Sequence, residues 1–160
     1  MYAVARILET DPTPELPLTI CTDSQYTISV FSTWIPGWRK RGWKTSGGTP
    51  VLNKDLIQYV LSLISLRMPP NSTSPTANVS FKKVKAHVGI EGNEMADRFA
   101  NNGAMSAEVE PRDFAAATRA NEKKLREKGL QAVEVEFEVD IGDLWTDDEL
   151  KEMGKSQDFA

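Results

Sequence analysis

Two aspartates and a histidine are the residues whose types and settings could do chemistry. Asp23 follows the apolar run LTIC and precedes an amphipathic stretch, so it stands where a strand ends and a helix begins. In an open α/β sheet, ligands gather beyond the carboxyl ends of strands. A helix N-cap aspartate would look the same in sequence. Asp97, in IEGNEMADRFA, falls on one helical face with Asn93 and Glu94. Paired carboxylates could hold a hard divalent cation, although an acid early in a helix is also favoured by the helix dipole. His87 is the chain's one histidine, on a glycine-punctuated loop. It is either simply solvated or placed to move a proton near neutral pH.

The block WIPGWRKRGWKT, residues 34–45, sets Trp34, Trp38 and Trp43 among Arg39, Lys40, Arg41 and Lys44. Cations of this kind contact phosphates, and aromatic planes pack on sugars or bases. Core tryptophans beside a solvated basic loop are the alternative. The net charge of −4 conceals the block. Residues 31–54 hold five cations and no acid, whereas residues 105–160 hold 8 basic and 15 acidic side chains. One short region is therefore basic enough to meet a polyanion.

The elements that position these residues follow from periodicity and punctuation. Tyr2 to Leu8 has helical spacing ended by Pro12 and Pro14, and Leu18–Cys21 reads as a buried strand. A helix after Asp23–Ser24 turns Ile28, Phe31 and Ile35 inward, and Pro36–Gly37 breaks or bends it. Arg39 to Pro50 reads as a loop, Asn53 to Leu66 as a helix, and Val79–Lys85 as a strand carrying Val79, Phe81 and Lys83 on one face. Asn93 to Ala104 predicts another helix, and a last one runs from Pro111 to Lys128. From Val133 the chain is acidic and reads as a flexible tail, though VEVEFEV alternates like a strand. Strand–helix alternation argues α/β.

Composition narrows the class. A hydrophobic share of 40% and a charged share of 26% are those of a globular protein, and no apolar run is long enough to span a membrane. The single Cys21 cannot form an internal disulfide, which fits a reducing intracellular compartment, and its apolar setting predicts a buried thiol. Nucleus, cytoplasm and mitochondrion are all compatible.

Taken together and in order, TDSQY at 22–26, the tryptophan block at 34–45, Asn53, and KAHVGIEGNEMADRFA at 85–100 resemble type 1 ribonuclease H. The resemblance covers residues 1–104, a partial domain, and residues 105–160 form an extension without a counterpart. It implies a ribonuclease H-like fold, a mixed sheet with flanking helices, whose first three strands would lie upstream of Met1. It implies endonucleolytic cleavage of the RNA strand of an RNA–DNA hybrid by two Mg²⁺ ions, or Mn²⁺. Asp23 and Asp97 then match metal ligands, and His87 matches a mobile histidine that assists proton transfer or product release. Trp34, Trp38, Arg39, Lys40, Arg41, Trp43 and Lys44 match a basic protrusion gripping DNA. Tyr26, Trp34 and Ser46 match a DNA channel, and Asn53 matches a phosphate pocket.

The family's first aspartate and its glutamate have no match here, so impaired cleavage is expected. An unpaired edge on the Leu18–Cys21 strand is expected as well. A catalytically inactive hybrid-binding module is the alternative. A scaffold acting through the acidic tail and a reverse-transcriptase module stand further off.

Overall fold

The computed structural model describes residues 1–68, 78–85, 91–106, 110–130, 137 and 139–140. The order is α1 (Tyr2–Thr10), β1 (Leu18–Thr22), α2 (Gln25–Ser29), a π-helical turn (Val30–Trp34) and α3 (Ile35–Lys40). Then come α4 (Lys54–Arg67), β2 (Val79–Lys83), α5 (Glu91–Ala104), α6 (Phe114–Glu127) and β3 (Val139–Asp140). The architecture is α/β. Its described sheet is parallel, in the order β1-β2-β3, so β1 forms one edge.

Alternation along the strands sets the core. Ile20, Val79 and Phe81 turn to one face and are buried. They meet Val4, Ala5 and Leu8 of α1 and Ile57, Val60 and Ile64 of α4. Phe31 stacks on Phe81 with ring centroids 4.2 Å apart, and Phe137 meets both rings edge-on. At the far end of α4, the buried Arg67 guanidinium pairs with Asp11 and donates to the Leu16 carbonyl at 2.9 Å. These bonds seat the α1–β1 connection.

Three expectations change. The helix after Ser24 continues through Pro36 to Lys40, so of the two alternatives, a break or a bend, the break is removed. The π turn at Val30–Trp34 widens the helix just before the proline, whose missing N–H falls in the first turn of α3. Arg39 and Lys40 are therefore helical, and only the residues after them form the loop. Cys21 is exposed, because the strand's pleat turns Ile20 inward and Thr19 and Cys21 to the opposite face.

Residues 110–130 join the packing of the rest. α6 lies along α4: its Leu125 is buried, and Asn121 Nδ2 donates to Ser62 Oγ at 3.0 Å. Val139, the last residue of VEVEFEV, and Asp140 form a short strand that pairs with Phe81 and Lys82, whereas residues 133–136 and 138 lie outside the described residues.

Candidate active site

Asp23 sits directly after β1, and its carboxylate is not spent on capping. Ser24 is the N-cap of α2: its Oγ accepts from Thr27 N at 3.3 Å, and Thr22 Oγ1 accepts from Ser24 N at 3.1 Å. Asp23 Oδ2 instead accepts from Asn93 Nδ2, at 3.0 Å. The N-cap alternative for Asp23 falls on these bonds.

Asn93 lies in the first turn of α5, and Asp97 is one turn further along the same face. Asn93, Glu94 and Asp97 are half-buried, while Met95 and Phe99 on other faces are exposed. The first-turn acids of α5 are Glu91 and Glu94, so the helix dipole does not account for Asp97. One strand end and one helix face thus bring Asp23 towards the Asn93–Asp97 stripe. Among the described residues no group of three or more acid, histidine or cysteine side chains gathers for a metal. His87 lies outside the described residues.

Two residues near Asp23 were not expected. Lys83 Nζ donates to the Asp23 carbonyl at 2.7 Å and to Gln25 Oε1 at 3.0 Å. Burial pushes the Lys83 ammonium below its usual range, and the nearby Asp23 charge counters in part. The sequence did hold a signal. Lys83 falls in phase with the core residues Val79 and Phe81, and a lysine there must find a polar partner.

The tryptophan block divides into an anchor and a surface. Trp38 is 1% exposed, so its expected contact with nucleic acid is corrected: it is a core residue. Tilted against it are Trp34 and Trp43, at 5.5 and 6.4 Å between centroids, both half-buried. Trp43 carries a positive φ of 62°, a strained backbone held by its N–H bond to the Trp38 carbonyl at 2.7 Å. Lys40, Arg41, Lys44 and Ser46 are exposed, and Arg39 is half-buried. Arg41 Nε donates back to the Lys44 carbonyl at 3.1 Å, and a Lys44–Pro50 bridge closes the loop that carries Ser46.

Tyr26 links this surface to the acidic end. Its ring meets Trp34 edge-on at 5.8 Å, and the Asn53 side chain lies near its hydroxyl. Burial raises the Tyr26 hydroxyl's pKa, and the neighbouring Asn53 amide offsets part of that. Asn53 itself starts α4 in the left-handed region, φ 58°, a conformation asparagine tolerates. Asp23, Tyr26, Trp34 and Asn53 therefore share one end of the molecule.

The sequence model of the family RNase H matches residues 1–105, which is more than half of the chain. The chain belongs to the RNase H family. It is 38% identical over 112 residues to a ribonuclease HI of Streptomyces coelicolor, covering 68% of this chain and 43% of that protein. It is 38% identical over 107 residues to a ribonuclease H of Thiobacillus denitrificans, covering 67% of this chain and 65% of that protein. With a ribonuclease H of Stutzerimonas stutzeri it shares 38% identity over 92 residues, 58% of this chain and 54% of that one. The chain thus spans between two fifths and two thirds of these relatives' length. The match ends just past α5, before α6 begins. No helix among the described residues is long and apolar enough to cross a membrane.

Proposed function

We propose that this RNase H domain acts on RNA–DNA hybrids, hydrolysing the RNA strand endonucleolytically. The observation that carries the reading is the Asp23–Asn93 bond. It ties a strand-end carboxylate to the helix face that bears Asp97, next to a surface of exposed cations and aromatic edges. Lys40, Arg41 and Lys44 would neutralise phosphates. Trp34 and Trp43 would offer ring edges to sugar or base, with Trp38 as their buried support.

A divalent cation suits the donor chemistry, since Asp23 and Asp97 supply hard oxygens. When bound, such an ion supplies Lewis-acid stabilisation of a phosphoryl group and a reactive water near neutral pH. Mg²⁺ is the expected ion and Mn²⁺ an effective substitute, with two ions in a complete site. Asp23 and Asp97 would hold the ion, Asn93 would orient Asp23, and His87 would exchange a proton with the departing product.

A second reading is a hybrid-binding module that does not cut. It is favoured by the absence of a third clustered acid among the described residues. Incubating the chain and Asp23→Asn with a hybrid labelled on its RNA strand, with and without Mg²⁺, separates the two. Metal-dependent cleavage lost in Asp23→Asn supports the nuclease. Tight, salt-sensitive hybrid binding without cleavage supports the binding module.

A further inference from the structure

The turn between β1 and α2 is held more firmly than a strand–helix connection requires. Val84 N donates to the Thr22 carbonyl at 3.0 Å, continuing the β1–β2 ladder past the end of the strands. The Thr22 side chain in turn accepts from Ser24 N. Lys83, the last residue of β2, then reaches across and donates to the Asp23 carbonyl at 2.7 Å and to Gln25 Oε1 at 3.0 Å. On the far side Asn93 holds the Asp23 carboxylate. Asp23 is thus gripped by its backbone from β2 and by its side chain from α5.

We propose that Lys83 is a positioning residue: it fixes the Asp23 backbone so that the carboxylate meets the Asn93–Asp97 face, and thereby sets the site's affinity for a divalent cation. This inference rests on the reading of Asp23 as a metal ligand. The bonds go to two neutral carbonyl oxygens, one of the main chain and one of an amide. Through these two bonds the ammonium places the turn. Groups that orient metal ligands through hydrogen bonds typically contribute about ten- to a hundredfold in metal affinity.

Mn²⁺ is the probe, titrated calorimetrically into the full chain well below its melting temperature. Lys83→Met keeps the apolar stem and removes the donors, and is expected to weaken Mn²⁺ binding about tenfold. Lys83→Arg keeps donors at similar reach and is expected to restore affinity to within about threefold. Gln25→Ala removes one acceptor and leaves Lys83 in place, a milder variant expected to weaken binding about threefold. It also tests the inference if Lys83→Met fails to fold. A merely structural lysine would lower the melting temperature of Lys83→Met without changing the folded protein's Mn²⁺ affinity. Unchanged affinity in both Lys83→Met and Gln25→Ala overturns the inference alone. Tighter binding in Lys83→Met also overturns it, because the charge would then oppose the ion more than the bonds hold its ligand. No Mn²⁺ binding by the unaltered chain overturns the metal reading and this inference with it.

Discussion

Two carboxylates, Glu9 and Asp23, sit at opposite extremes of hydrogen bonding, and the contrast separates structure from chemistry. Glu9, near the end of α1, is gathered by Tyr59 at 2.6 Å and by Arg112 and Arg6 at 2.5 Å. Arg112 also donates to the Tyr59 hydroxyl at 2.7 Å, and Phe114 packs on the Tyr59 ring. The cluster joins α1, α4 and the entry to α6. Among the described residues Asp23 receives one side-chain donor, the neutral Asn93 amide. A carboxylate surrounded by cations has its charge answered within the fold. One whose side chain is held by an amide keeps lone pairs for something else.

The largest effect should come from Asp23. In Asp23→Asn, cleavage of a labelled RNA strand is expected to fall about a thousandfold, or roughly 4 kcal/mol of barrier, with hybrid affinity within about twofold. Retained cleavage would place Asp23 with Glu9 among the structural acids and undo the contrast.

The second effect concerns the structural region. Leu125 of α6 is 1% exposed, in a part of the chain outside the family match. Leu125→Ala is expected to destabilise the fold by about 3 kcal/mol in chemical denaturation. A loss under about 1 kcal/mol would mean that α6 is dispensable packing.

The third tests the surface around the candidate site. Replacing Lys40, Arg41 and Lys44 together by glutamine should weaken hybrid binding at least about tenfold and flatten its dependence on log salt by up to about three units. An unchanged slope would show that these exposed cations, like many charge runs, are only solvated.

Much of this arrangement was legible in the sequence, and the misses share a physical cause. Periodicity located α1, α4, α6, β1 and β2 because each buries one regular face. The order of TDSQY, the tryptophan block and GNEMAD pointed to the site before any contact was known. Local propensity failed where neighbouring elements decide. Pro36 is a helix breaker only if the preceding turn cannot widen, and here the π turn widens. Cys21 looked buried because LTIC is apolar, but the pleat turns it to the sheet's other face. Trp38 belongs to a basic block by sequence and to the core by packing. Asn93 was placed on the face of Asp97, but its bond to Asp23, 70 positions away, depends on how β1 and α5 dock.

The smallest effect sharpens the contrast by pH. Burial would raise the Glu9 carboxyl, but the bonds from Tyr59, Arg112 and Arg6 outweigh it and hold Glu9 below its ordinary value of 4.5. A carboxyl that is more acidic folded than unfolded contributes stability above its unfolded pKa, and that contribution fades as pH falls through the folded one. Thermal melts of the unaltered chain should therefore lose this increment below about pH 4.5. Glu9→Gln should lack it throughout, so the two proteins differ at neutral pH and converge in acid. Arg6 and Arg112 remain partly exposed, which screens the pairs, so the difference at pH 7 is expected to be about 1 kcal/mol. Hybrid binding and any metal-dependent cleavage should be unaffected, because the cluster lies on α1, α4 and the approach to α6, away from the β1–α5 junction. A Glu9→Gln variant that melts normally but loses cleavage would reverse the assignment and make Glu9 the functional acid.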